Sequence, residues 1–307
     1  MTLQQIYYAI TIAEIGSMNK AAEQLFITQP SLTSSIKTLE NEIGTRIFLR
    51  TGKGVSITAE GVDFLKYARQ VYQQYEILEQ RYSDKANIRR KFGVSTQHYS
   101  FAVQAFVETV KKFGTLKYEF AIRETKTLEV INDVGSLKSE IGIIYLSDYN
   151  SRIIKKLLRD NGLKFTKLID CNAYVYLYKG HPLAGEKSIG LAQLADYPCL
   201  AFEQGDRSSF YLSEEILSDI EYPRTIKTND RASMLNLMKG LNSYTLCSGI
   251  ISENLNGSDY IAIPFREDEE NHNTVMSIGY IVKEGSLPTQ IGEEYINQLG
   301  IYLQNPS

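Results

Sequence analysis

The side chains from which this chain could build a reactive centre are few, and their spacing argues against one. His98, His181 and His272 are widely separated, and no HExxH or Walker-type loop accompanies them. His98 lies near Ser95, but no Ser/His/Asp order or oxyanion loop surrounds the pair, so no catalytic residue is assigned and no enzyme is expected. Cys171, Cys199 and Cys247 are 28 and 48 residues apart, an odd count with no CxxC pair. That suggests neither a disulfide framework nor a thiolate zinc site and reads as small buried hydrophobes in a reducing compartment. Two other clusters suit recognition better than reaction. Gln29, Pro30, Ser31, Thr33, Ser34 and Lys37 share the outer face of one helical stretch. On its own that is a solvated polar surface; beside a polar partner it is a row of donors and acceptors. Ser95-Thr96-Gln97-His98-Tyr99 sits between a strand and a helix, where hydroxyls, an amide and free backbone N–H groups can either cap the helix or cradle an anion.

These clusters are positioned by short elements. Leu3, Ile6, Ala9, Ile10 and Ala13 recur at helical spacing, and Gly16 ends that helix. Ser17 caps a second helix, 18–25, and Thr28 caps a third, with Pro30 tolerated in its first turn. Leu32, Ile36, Leu39 and Ile43 form the apolar stripe of the third helix, and Gly44 closes it. Strand candidates 47–50 and 55–57 flank Thr51-Gly52-Lys53-Gly54, a hairpin turn. From Thr58 to about Asn87 the apolar positions Phe64, Ala68, Val71, Tyr75, Leu78 and Tyr82 follow spacings of 4, 3, 4, 3 and 4. That 3.5-residue average is a coiled-coil seam, on a helix of roughly 45 Å, and predicts dimerisation. Beyond Arg89 strand and helix patterns alternate: strands at 91–95, 117–123 and 140–146 with helices at 101–113 and 127–138. The alternation resumes at 173–179, with helices at 208–220 and 231–240, and predicts parallel sheets covered by helices.

Composition sets outer limits. The chain has 307 residues, 43% hydrophobic and 22% charged, an ordinary globular balance suited to two or three domains. Its longest apolar run, 141–146, is too short to cross a membrane, and no basic leader precedes it, so a cytoplasmic protein is expected. A net charge of −3 does not announce nucleic-acid binding. Residues 1–88 balance 9 basic against 9 acidic side chains, but within 28–58 Lys37, Arg46, Arg50 and Lys53 outnumber Glu40 and Glu42. Any footprint on DNA is local and multiplied by oligomerisation.

One ordered set of residues is more specific than any of these patterns. Gly16-Ser17-Met18, Ala21-Ala22, Leu25, Thr28-Gln29-Pro30-Ser31-Leu32-Thr33, Ile36, Leu39-Glu40, Gly44, Phe48, Arg50 and Thr58-Ala59-Glu60-Gly61 resemble the DNA-binding end of the LysR-type transcriptional regulators. The likeness continues more loosely, as at His181-Pro182-Leu183-Ala184 and Leu194-Ala195-Asp196-Tyr197-Pro198. It implies a winged helix-turn-helix, mainly α, at 1–58, a linker and dimerisation helix at 59–88, and a periplasmic-binding-protein-like α/β effector domain at 89–307. The effector domain would have two subdomains, 89–165 with 267–307 and 166–266, the chain crossing near 163–168 and 264–272.

The physical roles agree with that resemblance. Gln29 suits an adenine edge, Ser31, Thr33 and Ser34 bases or phosphates, and Pro30 or a Thr methyl the thymine methyl. Lys37, Arg50 and Lys53 suit phosphates or the minor groove, and Ser17 and Asn19 a phosphate oxygen. Thr33 and Ser34 stand where the family often has Ser followed by a larger polar or basic residue. In the effector domain the resemblance implies a ligand between the lobes. It would be held by Ser95, Thr96, Gln97, His98 and Tyr99, a run similar to the anion-holding segment of sulfur-metabolism members, with Arg123 and Thr125 adding to it. Phe202, Glu203 and Ser208 would close from the other side, beside Cys247 and Ser248. The partners implied are double-stranded DNA with a pseudo-palindromic operator, a small anionic effector from amino-acid or sulfur metabolism, further copies of the chain as homodimer or homotetramer, and RNA polymerase; no cofactor, metal or membrane is implied. The alternatives are a thiol-based redox regulator, disfavoured by the cysteine spacing, and a small-molecule-binding module or enzyme without DNA binding.

Overall fold

The computed structural model describes residues 1–51, 54–82, 90–114, 117–205, 210–267 and 274–304, apart from the side chains of Arg50, Thr51, Gln80, Arg81, Tyr82 and Asn254. Lys53 and Ser208 therefore lie outside the described residues, as do the side chains of Arg50 and Tyr82. The chain separates into two compact units, 1–85 and 86–307.

The first unit holds α1 (Leu3–Ile15), α2 (Met18–Gln24), α3 (Gln29–Ile43), the antiparallel hairpin β1 (Phe48–Thr51) and β2 (Gly54–Ile57), and α4 (Ala59–Tyr82). The caps are those the sequence announces. Gly16 ends α1 in the left-handed region at φ 70°, and the Thr28 hydroxyl accepts the Ser31 N–H to start α3. Leu32, Ile36 and Leu39 of α3 bury against Ile6, Ala9, Ile12, Ala21 and Ala22. Each large side chain in that cluster contributes roughly 1.5–3 kcal/mol. The Glu40 carboxylate accepts the backbone N–H groups of Ile47 (2.7 Å) and Phe48 (3.1 Å), tying α3 to the hairpin. Gly61 is required by packing, since a Cβ there would stand 2.3 Å from the Ile47 carbonyl oxygen.

The seam expected along α4 is divided. Ala68 is buried and Phe64 packs against the same cluster, with Leu65 and Tyr72; Tyr7 of α1 stacks on Tyr72 at 5.0 Å. Phe64 and Ala68 thus complete this unit's own core, because α1 lies against the first half of α4. Val71 and Leu78 remain exposed, as do Val62 and Tyr67, and Tyr75 is half-buried.

The second unit has two lobes. Its elements are β3 (Arg90–Thr96), α5 (Ser100–Lys112), β4 (Tyr118–Glu124), α6 (Thr127–Gly135), β5 (Ile141–Leu146), α7 (Ser151–Asp160) and β6 (Leu163–Asn172). Then come β7 (Tyr174–Tyr178), α8 (Leu191–Leu194), β8 (Cys199–Phe202), a 3-10 turn at Phe210–Leu212, β9 (Thr225–Thr228), α9 (Arg231–Leu241), β10 (Tyr244–Cys247), α10 (Glu253–Asn256), β11 (Tyr260–Pro264), β12 (Val275–Lys283) and α11 (Gln290–Gln304). One lobe is the sheet β4-β3-β5-β12-β6, the other β11-β7-β10-β8-β9. The α/β pairs β3–β4, β3–β5, β8–β9 and β10–β8 are parallel, whereas β12, β7 and β11 pair antiparallel.

Two expectations change. The first crossing, placed near 163–168, falls at 172–174, because β6 pairs with β12 from Leu163 to Asn172 before leaving the first lobe. The helix expected at 208–220 is not formed over the described residues 210–220, which hold only the 3-10 turn. Glu214, Glu215, Ile216 and Leu217 are all buried. The segment adopts turns instead, and Leu217, at φ 59° in the left-handed region, interrupts any right-handed helix through it.

Candidate functional site

In the first unit, α3 presents its N-terminal half outward. Pro30, Ser31, Ser34 and Lys37 are exposed, and Gln29 and Thr33 are half-buried, joined by a bond of 2.6 Å from Gln29 Nε2 to Thr33 Oγ1. Ser17 caps α2, its hydroxyl accepting the Lys20 N–H at 3.5 Å, and Asn19 is exposed beside it. The apolar stripe opposite fixes this face as the outer one, so a row of hydrogen-bonding side chains is held on a rigid helix.

In the second unit, β3, β8 and β10 end at one crevice between the lobes, the place where open α/β sheets bind ligands. His98, Tyr99, Phe202, Cys247 and Ser248 line a cavity there, joined by Tyr176, Glu214, Glu215 and Arg231. The space inside is about 70 Å³, far below the roughly 300 Å³ and more of ordinary ligand pockets. The cleft is closed on itself.

A carboxylate of the chain does the closing. Glu214 Oε2 accepts the His98 backbone N–H at 2.8 Å and lies 2.9 Å from His98 Nδ1, while Oε1 accepts from Gln204 Nε2 at 2.9 Å. The two side chains are 6% and 4% exposed. The His98 ring stacks flat on Phe202, with centroids 3.7 Å apart. Gln204 in turn accepts the Thr127 N–H at the start of α6 (3.1 Å), and Thr127 Oγ1 donates to the Leu212 carbonyl at 2.7 Å. Glu215 accepts the Phe202 N–H at 2.7 Å; burial, then the neighbouring Glu214, push its carboxyl up to about 8. Arg231 pairs with Glu124 across the lobes, and burial lowers its guanidinium to about 10.

The expected ligand-holding residues divide accordingly. Ser95 is buried and bonded to Asp133 (2.7 Å) and Ser139 (2.8 Å), and Arg123 reaches the same Ser139 at 3.3 Å, so both belong to a polar network inside the first lobe. Thr96 is buried and donates to the Gln97 carbonyl. Gln97 donates to Thr127 (2.6 Å) and accepts from the Tyr99 phenol (3.0 Å) and the Tyr145 N–H (3.1 Å). It braces the cleft rather than lining it. Thr125 bonds Glu129, and Glu203 is exposed, its backbone N–H continuing the β9 ladder to Thr228. The carboxylates that do face the cleft, Glu214 and Glu215, were missed because a helix was expected there. Leu212, Ile216 and Ile220 stand at helical spacing with Glu214, Glu215 and Asp219 between them, so the local pattern reads as an amphipathic helix and does not mark the two glutamates as buried.

No group of three or more His, Cys, Asp or Glu among the described residues is arranged to hold a metal, and no described helix is long and apolar enough to cross a membrane.

A helix-turn-helix with a hairpin wing, followed by a two-lobed α/β domain with a crevice at its strand ends, defines a class of DNA-binding regulators. The family model described as a bacterial regulatory helix-turn-helix protein of the lysR family matches residues 3–62, and the LysR substrate binding domain matches 117–277. The chain belongs to the LysR family and is a DNA-binding transcriptional regulator with an effector-binding domain. It is 27% identical over 216 residues to the HTH-type transcriptional regulator AlsR of Bacillus subtilis, covering 69% of this chain and 68% of that protein. A full-length OxyR variant from Pseudomonas aeruginosa has the same fold, with TM-score 0.67 at 18% identity over 100% of this chain and 96% of that one. CbnR complexed with its target DNA gives a TM-score of 0.54 at 16% identity over 97% and 99%. These relatives are regulators rather than enzymes.

Proposed function

We propose that this regulator reads an operator through Gln29, Pro30, Ser31, Thr33, Ser34 and Lys37 on α3, with Ser17 and Asn19 on the flanking phosphates. It acts in the cytoplasm as a homodimer or a pair of dimers. The observation that carries the reading is the outward polar face of α3, held by a buried stripe at 32, 36 and 39. The exposed Val71 and Leu78, with Tyr75 beside them on α4, supply apolar surface for a second copy. Two copies would set two recognition helices on a pseudo-palindrome. The cleft of the second unit is the effector site, and a ligand there shifts DNA affinity or bend to the extent that it prefers one lobe arrangement. His98, Tyr99, Phe202, Cys247 and Ser248 line it, and its effector is a small anionic metabolite. A thiol-based response finds no support in the cysteines. Burial pushes the thiols of Cys171, Cys199 and Cys247 up to about 11, 12 and 12, away from the thiolate that reacts with oxidants.

Fluorescence anisotropy on operator and random duplex tests the base-reading role. Gln29→Ala should cost about 1–3 kcal/mol on the operator and little on random DNA. Lys37→Ala should weaken both and flatten the salt slope by about one counterion. Equal loss from Gln29→Ala on both duplexes would remove Gln29 as a reader of bases.

A further inference from the structure

The sequence predicts an anion cradle at Ser95 to Tyr99, and in the fold a side chain of the protein already occupies the cleft beside it. Three donors converge on the Glu214 carboxylate: the His98 backbone N–H, the His98 ring and the Gln204 amide, at 2.8, 2.9 and 2.9 Å. They come from the β3–α5 junction of one lobe and from the segment after β8 of the other. Their convergence specifies carboxylate chemistry directly, by showing a carboxylate bound. Glu214 itself arrives on a stretch of turns rather than on a helix or strand, so its side chain is carried by the least regular part of the second lobe. With Glu214 in place only about 70 Å³ is left, enough for water and too little for a metabolite.

We propose that Glu214 is a built-in occupant of the effector site, an internal competitor that a carboxylate-bearing ligand must displace. The proposal rests on the cleft reading above and adds to it the ligand's recognised group and the cost of entry. Buried donors left without a partner are expensive, which is why the chain supplies its own in the ligand-free state. Displacement sends the Glu214 carboxylate to solvent, opens the space it filled and releases a contact between the lobes. A ligand's apparent affinity is then reduced by the fraction of molecules in which Glu214 is withdrawn. That tax sets the effector concentration at which the regulator responds.

Chemical rescue tests this on the full-length protein without DNA, so failure here leaves the DNA-binding reading untouched. Glu214→Ala should lower the thermal midpoint of the second unit. Sodium acetate or formate, at ionic strength held constant with chloride, should restore it saturably, whereas the wild type should show no saturable response. Glu214→Gln keeps the shape and folds even where Glu214→Ala does not. By calorimetry it should bind acetate at least tenfold more tightly than the wild type, because an amide oxygen competes less well than a carboxylate for the same donors. Adding Gln204→Ala to either variant should weaken that acetate binding. Absence of rescue in Glu214→Ala together with equal acetate affinity in Glu214→Gln and wild type would overturn the proposal. So would a response of equal size in wild type and Glu214→Ala, which would place the anion elsewhere.

Discussion

The two units bury different kinds of residue. The core of the first is apolar, built from Ile6, Ala9, Ile12, Leu32, Ile36, Leu39, Phe48 and Leu65, with Thr11 its one buried polar side chain among the described residues. The second buries Ser95, Gln97, Thr127, Asp133, Glu214 and Glu215 inside hydrogen-bonded networks. The first therefore presents most of its hydrogen-bonding side chains outward. The second holds polar groups inside, where their mutual hydrogen bonds fix one arrangement. A core made by dispersion and hydrophobic burial responds to volume. One laced with buried carboxylates responds also to protons and ligands.

Volume gives the largest separation. Leu39→Ala, at a position with no exposure, should destabilise the first unit by about 2–5 kcal/mol. Calorimetry should show one transition shifted and the other in place; a common shift would mean that the units unfold together and would erase the contrast.

Protons should sharpen it. Burial raises Glu215 from 4.5 to about 8 and Glu140, which accepts bonds from Thr289, from 4.5 to about 7. The folded state keeps their protons up to about pH 8 and pH 7, while the unfolded chain ionises near 4.5. The stabilisation is thus fully present below pH 4.5 and is lost as pH rises through about 7 and 8, at up to about 1.4 kcal/mol per pH unit per group. The second transition should fall between pH 5 and 8, and Glu215→Gln, whose amide oxygen can still accept the Phe202 N–H, should flatten the upper part of that fall. A wild-type second unit with no pH dependence over this range would contradict the assignment.

The smallest effect is a cap. Thr28→Ala removes the acceptor for the Ser31 N–H at the start of α3 and should cost about 1 kcal/mol. Circular dichroism melts should register it in the first transition alone; no loss would mean that solvent replaces the hydroxyl without penalty.

Legibility in the sequence followed the same division. In the first unit the caps at Ser17 and Thr28, the glycines at 16 and 44, the stripe at 32, 36 and 39 and the hairpin are local signals, and each is realised where its spacing indicates. The failure there concerned α4. A 3.5-residue period marks an apolar face but does not say which neighbour covers it, and α1 took Phe64 and Ala68. In the second unit, Ser95 to Tyr99 were correctly placed at a strand-to-helix junction, yet only His98 and Tyr99 of the five line the cavity. Ser95, Thr96 and Gln97 are all buried at the end of β3, and Ser95 and Gln97 bond to partners 30 or more residues away, which places them in the lobe interior.

The sequence by itself determined most of the elements, the outward polar face of α3 and the family, because these depend on periodicity, caps and an ordered run of residue types. Only the tertiary structure decided what fills the cleft. Glu214 and His98 are 116 positions apart, and no local pattern reports a contact made by two lobes closing. What brings them together is the cost of leaving a buried donor or a buried carboxylate alone, which is settled only when the rest of the domain has excluded water from both.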